Sequence, residues 1–432
     1  MTRDVPVDVI VAGFGYGGAH ATRLLSANGL KVLAVDRRGR AGYPPQSTSG
    51  IAAAFARRYG LPVGEESAPI TSFHIYGPEG TEATLGTNLF GELGEVMVEP
   101  DVLGKIEKEC ENNGSEVLHS SGVHAPIRKD GQWHVSIRGE VGDFTAAAPY
   151  LIDATGYLAW VGRAAGLLPD FDPEDVHGGV EQTVPLPADH PAGEVRMWLG
   201  HTTAPDGYCW AFPSKEEGRP MVRVGVGVPR RVPMLRSGNP GPVRWYPVPA
   251  KCQNAQYWLT GFLQAHPEYQ GRVHHRCGGQ IPTSAPHPRP YHEGLFLIGD
   301  SARLCCPISG AGVMTALESA RCAAVAITTR QGFDAVGRCY LDGLRPLQEE
   351  MRRRYTLKQL FYGLSDHEIA QLVRVMDRHT VRDGEVVEPL RIRRRLTRNL
   401  LLSHPGIALS LLTRGRWGRA RHPWRPAKVV VG

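Results

Sequence analysis

The segment Val7 to Asp36 constrains the chain more than any other. Val7-Asp8-Val9-Ile10-Val11-Ala12 reads as a buried parallel strand, Gly13-Phe14-Gly15-Tyr16-Gly17-Gly18 as a turn, and Ala19 to Ser26 as a helix of small and apolar residues. Lys31 to Val35 reads as the next strand and ends at Asp36, eighteen residues beyond Gly18. This is a β-α-β unit with GxGxxG at its first turn and an acid placed to accept hydrogen bonds from ribose hydroxyls. Gly13 permits the tight turn, Gly15 lets a pyrophosphate approach backbone N–H groups, and Gly18 allows close helix-strand packing. The unit points to a bound dinucleotide and does not by itself separate nicotinamide from flavin.

Downstream, turn residues at Gly42-Tyr43-Pro44-Pro45 precede a helix expected from Pro100 to Asn113. Strands are expected at Val117 to Val123 and Trp133 to Ile137, around a Lys129-Asp130-Gly131 turn, and at Tyr150 to Gly156. A polar, proline-rich β region covers roughly 175–290. Gly294 to Asp300 reads as another buried strand, followed by the glycine-rich turn Ser309-Gly310-Ala311-Gly312-Val313 and a helix to about Thr329. From about Phe333 the pattern is helical, and Gly363-Leu364-Ser365-Asp366-His367-Glu368 carries an N-cap signature.

A second strand-loop-helix about 280 residues after the first, carrying Gly299-Asp300, resembles FAD proteins. In that superfamily an aspartate at the position of Asp300 binds ribityl or ribose hydroxyls. The loop matched by Pro307, Gly310, Ala311, Gly312 and Val313 turns backbone N–H groups and a helix dipole toward the flavin, where negative charge accumulates on reduction. Between the two pieces, Tyr208-Cys209-Trp210-Ala211-Phe212-Pro213 resembles the (Y/F)xWxFP segment of geranylgeranyl reductases and their relatives. The order of motifs fits as well: Asp153-Ala154-Thr155-Gly156, then Tyr208 to Pro213, Gln280-Ile281-Pro282, Gly299-Asp300 and Leu364-Ser365-Asp366, covering about residues 1–375.

The resemblance implies an α/β fold: a Rossmann-type, glutathione-reductase-like FAD domain, an inserted β-sheet substrate domain and a C-terminal helical region. FAD-binding parts are expected at 1–75, 99–174 and 291–332, substrate-domain parts at 76–98 and 175–290, and helices with a basic tail at 333–432. It also implies a substrate cavity walled by Tyr208, Trp210 and Phe212, with Ser47 where archaeal members carry a cysteine near the flavin. An alternation Tyr-x-Trp-x-Phe puts three aromatics on one strand face, which suits a polyene or flat ligand and equally suits a packed core. Two further departures are Glu99, near where relatives carry an arginine, and Thr155-Gly156, the form of halogenase-like relatives. Halogenation itself is disfavoured, because no lysine lies between Lys31 and Lys105 and position 208 is Tyr.

The eight cysteines form no CxxC pair and no zinc-ligand spacing, so they are expected to be reduced and mostly buried. Cys305 and Cys306, just before Pro307, would stand near the flavin, as thiol catalysts or as small packing residues. No metal site, GxSxG elbow, Walker loop or nucleic-acid-binding pattern is present in the sequence. Without a second complete GxGxxG, NAD(P)H would dock transiently as electron donor.

Residues 391–432 hold ten arginines and Lys428 with no acid, a charge of +11 against +6 for the whole chain, which leaves −5 elsewhere. Such a tail can face solvent, a membrane surface or an acidic carrier protein. With no run of eighteen apolar residues, the chain is expected to be cytoplasmic, at most peripheral to a membrane. Three functions remain: an FAD-dependent reductase or dehydrogenase of a hydrophobic substrate, with Tyr208 as proton donor or orienting hydroxyl; an FAD-dependent monooxygenase; and a non-enzymatic prenyl-binding protein.

Overall fold

Val9–Ala12, apolar at every position and buried on both faces, occupies the middle of a six-stranded sheet. The order across it is Tyr291–His292, Leu295–Leu297, Tyr150–Asp153, Val9–Ala12, Val32–Val35 and Glu116–Leu118. All neighbours are parallel except the Tyr291–His292 edge, and a strand buried on both sides needs a layer on each face. One face carries the helices Tyr16–Ser26, Glu99–Asn112 and Val313–Thr329; the other carries an antiparallel meander of Ser121–Lys129, Gln132–Gly139 and Phe144–Ala148. Glu99–Asn112 forms because Val102, Leu103, Ile106 and Cys110 recur at helical spacing and bury one stripe. The computed structural model describes residues 7–86, 94–140, 142–169, 171, 175–230, 254–362 and 364–378, and the short paired strands Leu235–Arg236 and Trp245–Tyr246.

A second, seven-stranded sheet runs in the order His275–Pro282, Val176–Pro185, Arg219–Pro229, Tyr208–Glu216, Glu194–Leu199, Ser72–Tyr76 and Glu82–Gly86. It is antiparallel apart from the Glu194–Leu199 and Ser72–Tyr76 pair. Its strands alternate: Cys209, Ala211, Val222, Val224, Val226 and Val228 pack beneath Leu259, Phe262 and Tyr269, leaving Tyr208, Trp210 and Phe212 on the opposite face. The mixed α/β fold with a parallel sheet is therefore as expected.

Three local readings change. The 175–290 stretch is not purely β: Ala255–Ala265 is a helix, capped by the Asn254 side chain, which accepts a hydrogen bond from the Gln256 N–H at 2.9 Å. The strand expected from Gly294 to Asp300 shortens to Leu295–Leu297, because Gly299 takes φ of +56° and turns the chain into a short 3-10 segment, Gly299–Ala302. The strand expected from Val117 to Val123 divides into two, belonging to different sheets.

The C-terminal part begins with the long helix Phe333–Phe361. Asp366–Arg378 follows with a capping box at its start: the Ser365 N–H donates to Glu368 Oε2 at 2.7 Å and the Glu368 N–H to Ser365 Oγ at 3.3 Å. The basic 391–432 tail, Gly363 and Cys252 lie outside the described residues. Among the described residues no helix is long and apolar enough to cross a membrane.

Candidate functional site

The three glycines of the first motif act differently. Gly13 takes φ of +98°, and a Cβ there would collide with the Ala154 carbonyl; a Cβ on Gly18 would collide with the Gly13 carbonyl. Gly15 meets nothing within 4 Å and heads Tyr16–Ser26 without a side-chain cap, so the first N–H groups of that helix are left for a ligand. Asp36 ends its strand almost fully buried. Its carboxylate accepts the Phe14 N–H at 2.5 Å and the Arg38 N–H at 2.8 Å.

Arg38, which no motif singles out, lies buried between two carboxylates. Its guanidinium reaches Asp36 Oδ1 at 3.2 Å and Glu99 Oε1 at 2.8 Å, and donates to the Phe14 carbonyl at 2.9 Å. Burial alone would lower its pKa, but Asp36 and Glu99 outweigh it and hold the guanidinium charged. Glu99 thus balances an arginine here, and its other oxygen accepts the Gln46 N–H at 2.9 Å.

The second motif returns to the same end of the parallel sheet. Gly17 and Ala316, each in the first turn of its helix, are in van der Waals contact distance: a Cβ on Gly17 would lie 3.4 Å from that of Ala316. Asp300 sits in the Gly299–Ala302 turn, and among the described residues its carboxylate accepts no hydrogen bond. Burial pushes its pKa up to about 6, and the carboxylate is partly exposed, open to a ligand. The loop from Cys306 to Ala311 is closed by Cys306 N–H to the Ala311 carbonyl and Gly310 N–H to the Cys306 carbonyl, both at 2.9 Å. Gly310 takes φ of +67°, and Gly312 caps Val313–Thr329 with no side chain to satisfy the N–H groups beyond it. Pro307 is buried, whereas Ser309 and Ala311 are exposed. An open helix N-terminus at Gly15, another at Gly312 and an unpartnered carboxylate at Asp300 fit a long dinucleotide held at both ends.

The aromatic face meets this cradle. The Tyr208 hydroxyl donates to the Ser309 carbonyl, tying the strand to the loop before Gly310. Burial, reinforced by Cys306 and Cys305, raises that phenol well above its ordinary value, so it keeps its proton. Trp210 is buried, its ring centroid 5.5 Å from that of Tyr208, and its indole N–H donates to Glu181 at 2.8 Å. Phe212 packs in a small cluster with Ile70, Val96 and Val195 and lies near Gly50.

Glu181 and Arg223 were missed by motif reading. Glu181 is buried and also accepts from the Thr48 hydroxyl at 2.6 Å; Arg223, equally buried, donates to the Thr48 carbonyl at 2.9 Å and the Ser47 carbonyl at 3.3 Å. They anchor the 47–49 segment to the sheet. Ser47 itself accepts the Ser49 N–H at 3.0 Å.

The adjacent cysteines are unbonded and differ in character. Burial, with Asp300 second, drives the Cys305 thiol far above its ordinary pKa. Burial also works against ionising Cys306, yet the Arg354 guanidinium 3.4 Å from its sulfur, with groups at Ser309, holds it below the ordinary value. Arg354 comes from the helix Phe333–Phe361, a fourth missed residue.

No family model matches the chain. A digeranylgeranylglycerophospholipid reductase of Methanocella arvoryzae is 27% identical over 368 residues, which are 83% of this chain and 88% of that protein. A geranylgeranyl bacteriochlorophyll reductase-like protein of Thermoplasma acidophilum superposes with a TM-score of 0.79 at 22% identity, covering 94% of this chain and 99% of the other. A p-nitrophenol 4-monooxygenase of Pseudomonas putida superposes with a TM-score of 0.69 at 14% identity, covering 91% and 98%. These likenesses extend well beyond the motifs, and the chain resembles the geranylgeranyl-reductase-like FAD-dependent oxidoreductases along most of its length.

Proposed function

We propose that the chain is an FAD-dependent reductase that saturates a C=C bond of a prenyl-bearing lipid. The observation that carries this reading is the Tyr208–Ser309 contact, which sets a proton-bearing, aromatic-lined face directly against the loop leading to Gly310–Val313. FAD would run from Gly13, Gly15, Gly18 and Asp36 to Gly299, Asp300, Pro307 and the Gly310–Val313 N–H groups, in a glutathione-reductase-like domain into which the seven-stranded sheet is inserted. When bound there, reduced FAD would supply a hydride, with NAD(P)H docking transiently as the electron donor.

The protein's own residues supply the rest. Trp210 and Phe212 hold an apolar chain flat, while Glu181 and Arg223 fix the 47–49 segment at its side. The Tyr208 phenol, kept neutral by burial, holds a proton beside the reacting bond. The Gly312 helix terminus favours negative charge developing on the ring. The name of the Methanocella relative supports a lipid with geranylgeranyl chains, and the basic 391–432 tail is a means of approaching an anionic membrane surface.

Monooxygenation is the second reading, favoured by Ser47 in place of a sulfur residue and by Thr155-Gly156. Anaerobic reduction of the purified protein followed by a digeranylgeranylglycerophospholipid separates the two. Reoxidation with loss of a double bond supports the reductase; oxygen-dependent turnover with incorporation of an oxygen atom supports the alternative.

A further inference from the structure

On the Tyr208 face of the sheet, along the strand Val176–Pro185, begins a string of polar side chains with no part in the mechanism so far. Tyr362 Oη stands 2.5 Å from His177 Nε2, and His177 Nδ1 stands 2.8 Å from Thr283 Oγ1. Thr283 Oγ1 accepts from Lys358 Nζ at 3.0 Å, Lys358 Nζ bonds Asp175 Oδ1 at 3.0 Å, and the Tyr355 hydroxyl donates to Asp175 Oδ2 at 3.0 Å. Lys358 is 1% exposed and His177 5%, whereas the Asp175 side chain is 17% exposed and forms the wetter end. Tyr355, Lys358 and Tyr362 come from the C-terminal helix and its end, and His177 and Thr283 from the seven-stranded sheet and its margin.

The string has a direction. His177 Nε2 also lies 3.1 Å from the Asp206 carbonyl, which can only accept, so Nε2 carries the ring proton. Burial and Lys358 lower the His177 pKa to about 3, which keeps the ring neutral and leaves Nδ1 an acceptor. The Thr283 hydroxyl has two acceptors within reach, the Asp175 carbonyl at 3.2 Å and Nδ1 at 2.8 Å, and in the relay its proton goes to the nearer Nδ1 while Oγ1 accepts from the Lys358 ammonium. Tyr362 Oη accepts from Nε2–H, so the hydroxyl hydrogen of Tyr362 is not used within the string. Through Thr283 and His177 the donors thus run from Lys358 toward Tyr362. His177 stands two residues from Gly179, which lies in register with Gly227 and Tyr208, so His177 shares the Tyr208 face and brings Tyr362 beside it.

We infer that Tyr362, His177, Thr283 and Lys358 form a proton relay that feeds the substrate cavity, an inference that rests on the reductase reading. Saturating a C=C bond adds a hydride, with its two electrons, to one carbon and a proton to the other. The proton leaves the Tyr362 hydroxyl, directly or through Tyr208. Tyr362 oxygen takes the Nε2 proton, Nδ1 takes that of Thr283, and Thr283 takes one from Lys358. The resulting amine regains a proton from water by way of Asp175. No oxidant beyond the substrate is required. His177 and Lys358 are positioning and relay residues, and neither need touch substrate.

The test uses reduced holoenzyme under argon, mixed with digeranylgeranylglycerophospholipid in micelles. Reoxidation should slow roughly 10²-fold in Tyr362→Phe and in His177→Gln, which keeps a hydrogen-bonding side chain but cannot pass a proton. Reduction by dithionite and flavin content should be unchanged. Wild-type rates in both variants overturn the relay alone, and a wild-type enzyme that the lipid does not reoxidise overturns the reductase reading and the relay with it. Independently of turnover, 15N NMR of histidine-labelled protein, with His177 assigned by its loss in His177→Gln, should show the neutral Nε2–H tautomer from pH 5 to 9. The Nδ1–H tautomer, or a protonated ring, would reverse the direction and overturn the inference.

Discussion

Trp210 lies against Gly225: a Cβ added to that glycine would stand 2.5 Å from the indole Cε2, and the adjoining indole N–H holds Glu181, the cross-strand partner of Gly225. The ring is therefore seated on a bare backbone and tied down there by a buried carboxylate. Gly225→Ala should push the indole toward the cavity, cost about 1–3 kcal/mol and weaken lipid binding more than flavin binding. Thermal unfolding and lipid titration of the holoenzyme check both; an alanine tolerated without loss of either contradicts that seating.

The glycine-rich turn offers a paired comparison. Gly18→Ala must force the first helix away from the Gly13 carbonyl and should lower stability by about 3 kcal/mol, since backbone cannot move aside as a side chain can. Gly15→Ala has open space and should cost no more than about 1 kcal/mol as a helix cap, yet reduce FAD affinity at least tenfold. Denaturation of the apoprotein and flavin titration separate the two effects.

Asp300 makes the apoprotein pH-sensitive. Its folded pKa, near 6, lies above its unfolded value near 4, so the folded state binds more protons between these limits. Its contribution is most favourable below pH 4 and is lost as pH rises through 6. Asp300→Asn apoprotein should thus be more stable than wild type at pH 8, with the difference vanishing toward pH 4, while its FAD affinity falls. Denaturation at a series of pH values would expose an error of sign.

Much of this site was legible because its chemistry is local. GxGxxG, Asp36, Gly299-Asp300 and the Tyr208 to Phe212 alternation each encode a backbone conformation or strand face within a few residues, and the structure brings them to one end of the parallel sheet. Glu181, Arg223, Arg38 and Arg354 were not legible. Their partners lie between 2 and 176 residues away, and those contacts that matter cross between layers, leaving no periodic trace. Nor does any motif announce that Gly225 and Gly227 form the seat of the Trp210 ring. The helix Ala255–Ala265 escaped notice because it interrupts a proline-rich β region, although Asn254 marked its start.

Cys306 and Cys305 should separate in a thiol titration. The Arg354 contact at 3.4 Å favours the Cys306 thiolate, so Arg354→Met should raise its pKa while leaving Cys305 protonated. Ultraviolet thiolate absorbance, compared with a Cys306→Ser control, reads this directly. An unchanged titration in Arg354→Met would remove the guanidinium as the cause.

The central claim is that the flavin's electrons go to a prenyl double bond. The most direct measurement is the visible spectrum of the reduced holoenzyme under argon as digeranylgeranylglycerophospholipid is added, with mass spectrometry of the recovered lipid. The account predicts return of the oxidised flavin spectrum and a gain of two hydrogens per flavin in the lipid. A spectrum that stays reduced until oxygen is admitted, followed by a lipid or aromatic product carrying a new oxygen atom, would contradict it.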